Sequence, residues 1–334
     1  MKISASIYSD KSRNLTEVIA ELSLLDVDFF HVDCNDDPLV FQDIQLIRKL
    51  SNKPIDLHII TNQPSKYYDL LALNPVDYLT FQYENSQERP IQIPPSIKGK
   101  KGLAITTQTP IDVFNDYTDF DFILVMATTP GASGGRFDAI NFRKIRQFGQ
   151  IFPNKPIHVD GGVDAEVSFI LRNMGVVCSV SGSYLFKQNS VSEAISNLKA
   201  RQTQSKYLLR DFMSTDFTAV LKQDQLSLKN VLLSIENGKL GFCMITDNES
   251  NLVGLISNAD VRRGLIDILP NLNELDVHQL INRQPIAIYD DNNVYEMFDL
   301  IRSYAIPISY LPVITRSRQL VGYLTFVNLI KGEL

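Results

Sequence analysis

Two histidines and two aspartates carry the clearest chemical signal in the chain. His31 and Asp33 close the run FFHVD, and their i, i+2 spacing sends both side chains to one face of a strand. His58 lies in IDLHI, and Asp160 closes HVD. Imidazole and carboxylate together suit Zn²⁺, Fe²⁺ or Mn²⁺, so these four groups gathered on one rim form a ligand set for one divalent metal. The two carboxylates offer a second chemistry. Placed across a planar enediolate, one removes a proton next to a carbonyl and the other returns one to the opposite face, which inverts that carbon. Glycine turns follow in the later part of the sequence: TTPGASGG at Thr128–Gly135, Gly161–Gly162, and SGS at Ser181–Ser183. Such turns present backbone N–H groups to a phosphate.

The elements that must position these residues are short and regularly spaced. Ile3–Ile7, Phe29–Asp33, Ile55–Thr61, Tyr78–Phe81, Gly102–Thr106, Phe122–Met126, Ile157–Asp160 and Cys178–Val180 read as strands. Helical patterns over Leu15–Leu25, Phe41–Leu50, Asn141–Phe148, Val167–Met174 and Val191–Ala200 alternate with them. Eight such strands within residues 1–200 predict an α/β fold, a (β/α)₈ TIM barrel. Its active site belongs at the carboxyl ends of the strands, where the four residues stand. Arg89–Ile97 holds Pro90, Pro94 and Pro95 and predicts an irregular connection instead of a helix. His158, two residues before Asp160, reads as core or pocket wall, His278 as a surface residue, and Cys34 as structural.

Residues 201–206 are polar and read as a linker. Beyond them LVGLISNADV (Leu252–Val261) and LVGYLTFVNL (Leu320–Leu329) repeat at an offset of 68 residues, each preceded by a matching run. Two copies, about 207–265 and 275–334, make a second domain over 207–334, whose halves are small enough to need each other.

The order ISASI, FFHVD, IDLHI, LVMATTPGASGGRF, HVDGGV and VSGSYLF resembles the motifs of the ribulose-phosphate 3-epimerase family over residues 2–200. The resemblance implies a metal-dependent 3-epimerase acting on a ketose phosphate, with His31, Asp33, His58 and Asp160 as metal ligands and Asp33 and Asp160 as the acid–base pair. It further implies substrate contacts from Ser6, His58 and Met126, and phosphate contacts from Gly134, Gly135, Gly161, Gly162, Gly182 and Ser183. The sequence departs from the family around the substrate. Cys34–Gln42 (CNDDPLVFQ) keeps only Asp36 and Val40 of the covering loop. Asn35 and Ile60 replace pocket methionines, Thr129 an asparagine, and Gln82 a histidine. The ketose is therefore open: D-ribulose 5-phosphate, or a related pentulose or hexulose phosphate. The rival reading is a non-catalytic sugar-phosphate sensor. An aldolase or decarboxylase on a related barrel is disfavoured, because no strand end supplies the lysine those sites need.

GLISNAD (Gly254–Asp260) resembles the signature of CBS modules, and GYLTFVN (Gly322–Asn328) is its partner, so the second domain is expected to be an α+β CBS pair. The resemblance implies an adenine or cytidine nucleotide at Ser257 and Asp260, with Thr325 and Asn328 forming a weaker second site. The stretch Ala259–Leu265 is also similar to the CBS tails of sugar-phosphate isomerases, which suggests regulation within surface-sugar synthesis. CBS pairs associate, so a homo-oligomer is expected. A net charge of −6 gives no reason to expect nucleic acid, no apolar run suits a membrane span, and three dispersed cysteines fit a reducing cytoplasm.

Overall fold

The computed structural model describes residues 1–131, 134–200, 205–269, 275–304 and 308–326, and these divide into two compact units, one on either side of residues 201–204. In the first, eight strands close into a barrel in sequence order: β1 (Lys2–Ser6), β2 (Phe29–Cys34), β3 (Ile55–Ile59), β4 (Tyr78–Gln82), β5 (Lys100–Thr106), β6 (Phe122–Met126), β7 (Ile157–Asp160) and β8 (Cys178–Ser181). Every neighbouring pair is parallel. The (β/α)₈ architecture expected from the alternation of strand and helix patterns is present.

The helices form where apolar residues recur at helical spacing, and side-chain caps start three of them. They are α1 (Leu15–Leu24), α2 (Val40–Leu50), α3 (Tyr68–Leu73), α4 (Ile140–Ile151), α5 (Ala165–Asn173), α6 (Ser183–Lys187) and α7 (Val191–Leu198). Asn14, Asp164 and Ser190 each accept a hydrogen bond from the backbone N–H three residues on, worth about 1 kcal/mol apiece. On α4, Phe142, Ile145 and Phe148 face the barrel fully buried, each contributing about 1.5–3 kcal/mol of apolar burial. The proline-rich stretch between β4 and β5 carries no helix, as expected. Between β5 and β6 a 3₁₀ segment (Ile111–Tyr117) takes the place of an α-helix, and its three-residue period puts Phe114 and Tyr117 on one buried face.

Rings fill the amino end of the barrel. Tyr78 on β4 touches Phe29 on β2, Phe122 on β6 and His158 on β7, with centroids 4.7, 5.7 and 5.7 Å away. Contacts between non-adjacent strands pass through the interior, so these side chains are the barrel's floor. Stacked on Phe122 at 4.2 Å, His158 belongs to that floor, and burial pushes its imidazole down to about 4.

The second unit contains α8 (Leu209–Phe212), β9 (Val220–Lys222), α9 (Leu228–Gly238), β10 (Phe242–Thr246), β11 (Leu252–Ser257), α10 (Asn258–Ile268), β12 (Ile288–Tyr289), α11 (Val294–Arg302), β13 (Tyr310–Ile314) and β14 (Leu320–Thr325). Two three-stranded sheets, β11-β10-β9 and β12-β13-β14, share one plan. Phe242 pairs with Ser257, and 68 residues later Tyr310 pairs with Thr325. The register slips at Ile245/Thr246 and again at the matching Val313/Ile314. The repeat thus extends to a shared bulge. The halves pack on each other: Phe242 stacks on Tyr310 at 3.9 Å, and Phe242, Met244, Leu252, Leu255, Leu320 and Tyr323 form one buried cluster. Gly254 and Gly322 recur because backbone crosses both sites. A Cβ would stand 2.6 Å from Asn282 O in one copy and 2.4 Å from Ser214 O in the other. Among the described residues no helix is long and apolar enough to cross a membrane.

Candidate active site

At the carboxyl end of the barrel, His31, Asp33, His58 and Asp160 each offer one ligand atom, and all four atoms lie within 4.8 Å of one another. Register explains the convergence. Asp33 on β2 stands level with His58 on β3. Asp160 on β7 stands level with Met126 on β6, and His31 with Ser6 on β1. Both imidazoles are completely buried, while Asp33 and Asp160 keep partial access to solvent.

Each imidazole is oriented from behind. Asp56, on β3 and 2% exposed, accepts Ser4 Oγ–H at 2.8 Å and His31 Nδ1–H at 2.9 Å. His31 Nε2 therefore points into the group, 3.3 Å from Asp33 Oδ1 and 3.8 Å from Asp160 Oδ2. On the other side His58 Nε2 meets Gln82 Oε1 at 2.8 Å. His58 Nδ1 is buried 3.4 Å from Asp33 Oδ1 and makes no hydrogen bond among the described residues. An unpartnered buried imidazole nitrogen beside two carboxylates is the donor set that a divalent cation satisfies, so the residues fit such an ion.

The electrostatics express the crowding. Burial disfavours charge on His31, but Asp33 and Asp56 outweigh it and hold its imidazole well above the usual range. Burial likewise opposes charge on Asp33, and the two imidazoles outweigh it, keeping its carboxyl well below the usual range. Asp160 goes the other way: burial, reinforced by Asp33 and Asp56, raises it to about 6 against the pull of the imidazoles.

Of the other residues singled out by sequence, Ser6 is buried at the end of β1, and its Oγ accepts from Ser9 Oγ at 3.1 Å. Met126 is buried on the inner face with Ala104 and Leu124. Gly134 and Ser183 line one open cleft of about 510 Å³ with Ser9, Lys11, Ser12 and Lys187. Gly135 and Gly161 meet at Thr128, and Gly182 packs against Ser9 and Ser6. Gly162 adopts φ +66°, and a Cβ there would stand 2.1 Å from Phe137 N, so only glycine fits.

In the second unit Ser257 caps α10 by accepting the Asp260 N–H at 3.3 Å, while Asp260 Oδ2 accepts the Ser257 N–H and O–H. Arg263 pairs with the same carboxylate. The two residues thus start a helix whatever else they do. Thr325 occupies the equivalent place at the end of β14, and Asn328 lies outside the described residues.

Sequence reading missed Asp56, whose one signal was an acidic residue two positions before His58 on the inward face of a strand run.

A closed parallel barrel thus gathers two imidazoles and two carboxylates at its mouth, a group that could hold a metal ion. Residues 2–186, 185 of the 334, match the Ribulose-phosphate 3 epimerase family. The chain belongs to that family, which is one of epimerases. Residues 277–333 match the CBS domain. The ribulose-phosphate 3-epimerase of Methanocaldococcus jannaschii is 29% identical over 66% of this chain and 97% of its own length. The cytoplasmic isoform from Oryza sativa subsp. japonica is 28% identical over 59% and 92%. Among solved structures, the CBS-pair protein CBSX2 from Arabidopsis thaliana is similar at 22% identity, covering 39% of this chain and 95% of that one with a TM-score of 0.32.

Proposed function

We propose that the barrel is a metal-dependent 3-epimerase of a ketose phosphate, D-ribulose 5-phosphate or a related pentulose or hexulose phosphate. His31, Asp33, His58 and Asp160 are the ligands of one divalent ion, Zn²⁺, Fe²⁺ or Mn²⁺. When bound, such an ion polarises the substrate carbonyl and stabilises negative charge on the enediolate. Asp33 and Asp160 do the proton work: one withdraws the C3 proton from one face, leaving a planar 2,3-enediolate, and the other delivers a proton to the opposite face. Ser6 and Met126 flank the substrate. The turns at Gly134–Gly135, Gly161–Gly162 and Gly182–Ser183 hold its phosphate through backbone N–H groups. A nucleotide at Ser257, Asp260 and Thr325 regulates the barrel.

The observation that carries this reading is the four-residue group itself, with ligand atoms within 4.8 Å of one another and His58 Nδ1 left without a partner. Incubation of the metal-loaded protein with a panel of ketose phosphates in D₂O should place deuterium at C3. Substrate binding with no deuterium in any of them would remove the epimerase and leave a sugar-phosphate sensor.

A further inference from the structure

We infer that Gln82 is a positioning residue that fixes the tautomer of His58, and that Glu84 fixes Gln82; the inference rests on His58 belonging to the cation site proposed above. The argument starts from the far end of a hydrogen-bond chain. Glu84 Oε1 accepts from Thr106 N at 2.8 Å and from the Thr106 and Thr109 hydroxyls. That carboxyl is held below its usual range: burial works against the charge, and these hydrogen bonds with that from Gln82 outweigh it. It is therefore an acceptor only. Gln82 presents its amide nitrogen to Glu84 Oε2 and to Ala104 O. Turning the amide over would set its carbonyl oxygen against two acceptors, so Gln82 has one allowed orientation. Its Oε1 then faces His58 Nε2 at 2.8 Å, and an oxygen that can only accept places the ring proton on Nε2. Nδ1 is left as a lone pair, buried and directed at the group formed by Asp33, His31 and Asp160.

The competitor for that proton is Asp33. Its Oδ1 lies 3.4 Å from His58 Nδ1, against 2.8 Å for the Gln82 contact. Without the Gln82 oxygen, the buried Nε2–H would lose its partner, and the proton would move to Nδ1, where a carboxylate accepts it. A proton on Nδ1 removes one of the four ligand atoms. An amide suits this post because it neither gains nor loses a proton in the ordinary pH range, so it holds the tautomer whatever the charge on the groups around it.

The test uses the full chain labelled with ¹⁵N-histidine, whose four histidines give a simple spectrum. In metal-free wild type, at a pH where the ring carries one proton, His58 should show a protonated Nε2 and a bare Nδ1. Gln82→Met keeps the length and loses the acceptor. It should move the proton to Nδ1 and weaken Zn²⁺ binding, read by chelator competition, about 10–100-fold. In Gln82→Glu, one proton shared with Glu84 replaces the amide N–H and leaves an oxygen towards His58. This variant should keep the wild-type tautomer and bind Zn²⁺ within a few-fold of wild type. An unchanged tautomer and affinity in Gln82→Met, or a Gln82→Glu as weak as Gln82→Met, would overturn the inference. A wild type with the Nε2–H tautomer that binds no Zn²⁺ would support the orientation by Gln82 and sink the metal reading instead.

Discussion

Metal uptake by the metal-free protein should depend steeply on pH, with a second proton entering below about pH 6. A cation can bind only to deprotonated ligands, so it must displace whatever protons the site holds. The His31 imidazole, held well above its usual range, carries a proton at neutral pH that binding must expel. Affinity should therefore fall about tenfold per pH unit from this group alone. Asp160, raised to about 6, is mostly ionised at pH 7 and about nine-tenths protonated at pH 5. That adds roughly another tenfold over the same interval, whereas an unshifted carboxyl would add almost nothing. Asp33 stays ionised throughout, because the imidazoles hold its carboxyl low. From pH 7 to pH 5 the two groups together weaken binding by about 10³, or about 4 kcal/mol. Calorimetric titration with Zn²⁺ in buffers of different ionisation heat counts the protons released per metal. The count should rise from pH 7.5 to pH 5, and the rise should shrink in Asp160→Asn. No proton release at pH 7.5, or an undiminished rise in Asp160→Asn, would refute the charge assignment.

Three further outcomes are expected. Asp33→Asn and Asp160→Asn should each lower C3 deuterium incorporation by several orders of magnitude, about 10³ or more, in protein whose far-ultraviolet spectrum is unchanged; retention of a tenth of the wild-type rate by either would exclude it as an essential base. Asp56→Asn keeps the size but not the charge behind His31, and should weaken Zn²⁺ binding about 10–100-fold in a chelator competition; equal affinity would show that His31 needs no anion behind it. Ser257→Ala should cost about 1 kcal/mol in urea unfolding of the second unit through the lost cap of α10, and should also weaken a bound nucleotide; an unchanged midpoint would mean that Asp260 alone starts the helix.

The barrel was legible in the sequence because parallel strands buried on both faces appear as apolar runs, and each run from Lys2 to Ser181 is bounded by turn residues. The four site residues were legible for the complementary reason: charge and imidazole stand out within such runs. Less was legible at β4. Gln82 stood out only as a departure from the family and Glu84 not at all, and only the pairing of β4 between β3 and β5 turns them into a chain of oriented donors and acceptors. Asp56 was hidden similarly, since its partners Ser4 and His31 are distant in sequence and adjacent only once the barrel closes. The 3₁₀ segment after β5 was not legible as such, because a short run with Phe114 and Tyr117 fits either helical period. The second domain was readable through its repeat, yet the shared slip in register at Thr246 and Ile314 has no marker in residue type.

The distribution of polarity round the barrel explains how so much charge is accommodated. Above the floor of rings, the inward positions on β1 to β4 are Ser4 and Ser6, His31 and Asp33, Asp56 and His58, and Thr80 and Gln82, whereas β5 and β6 contribute Gly102, Ala104, Leu124 and Met126. Buried charges are tolerable only when paired and hydrogen-bonded. Here two chains of hydrogen bonds reach the mouth along neighbouring strands, Ser4 to Asp56 to His31, and Glu84 to Gln82 to His58, and both imidazoles stand beside Asp33. Each chain leaves one imidazole nitrogen facing inward, so the positions of both donors are set by groups that never enter the site. This division of labour accounts for the tolerance of an amide at position 82. What the site requires there is an acceptor towards His58 and a donor towards Glu84, and Gln82 supplies both. It also explains why loss of Asp56 or of the Gln82 oxygen should register first as weaker metal binding and only secondarily as lost stability. The ring packing survives either change, but one of the two inward-facing nitrogens loses the neighbour that holds it in place.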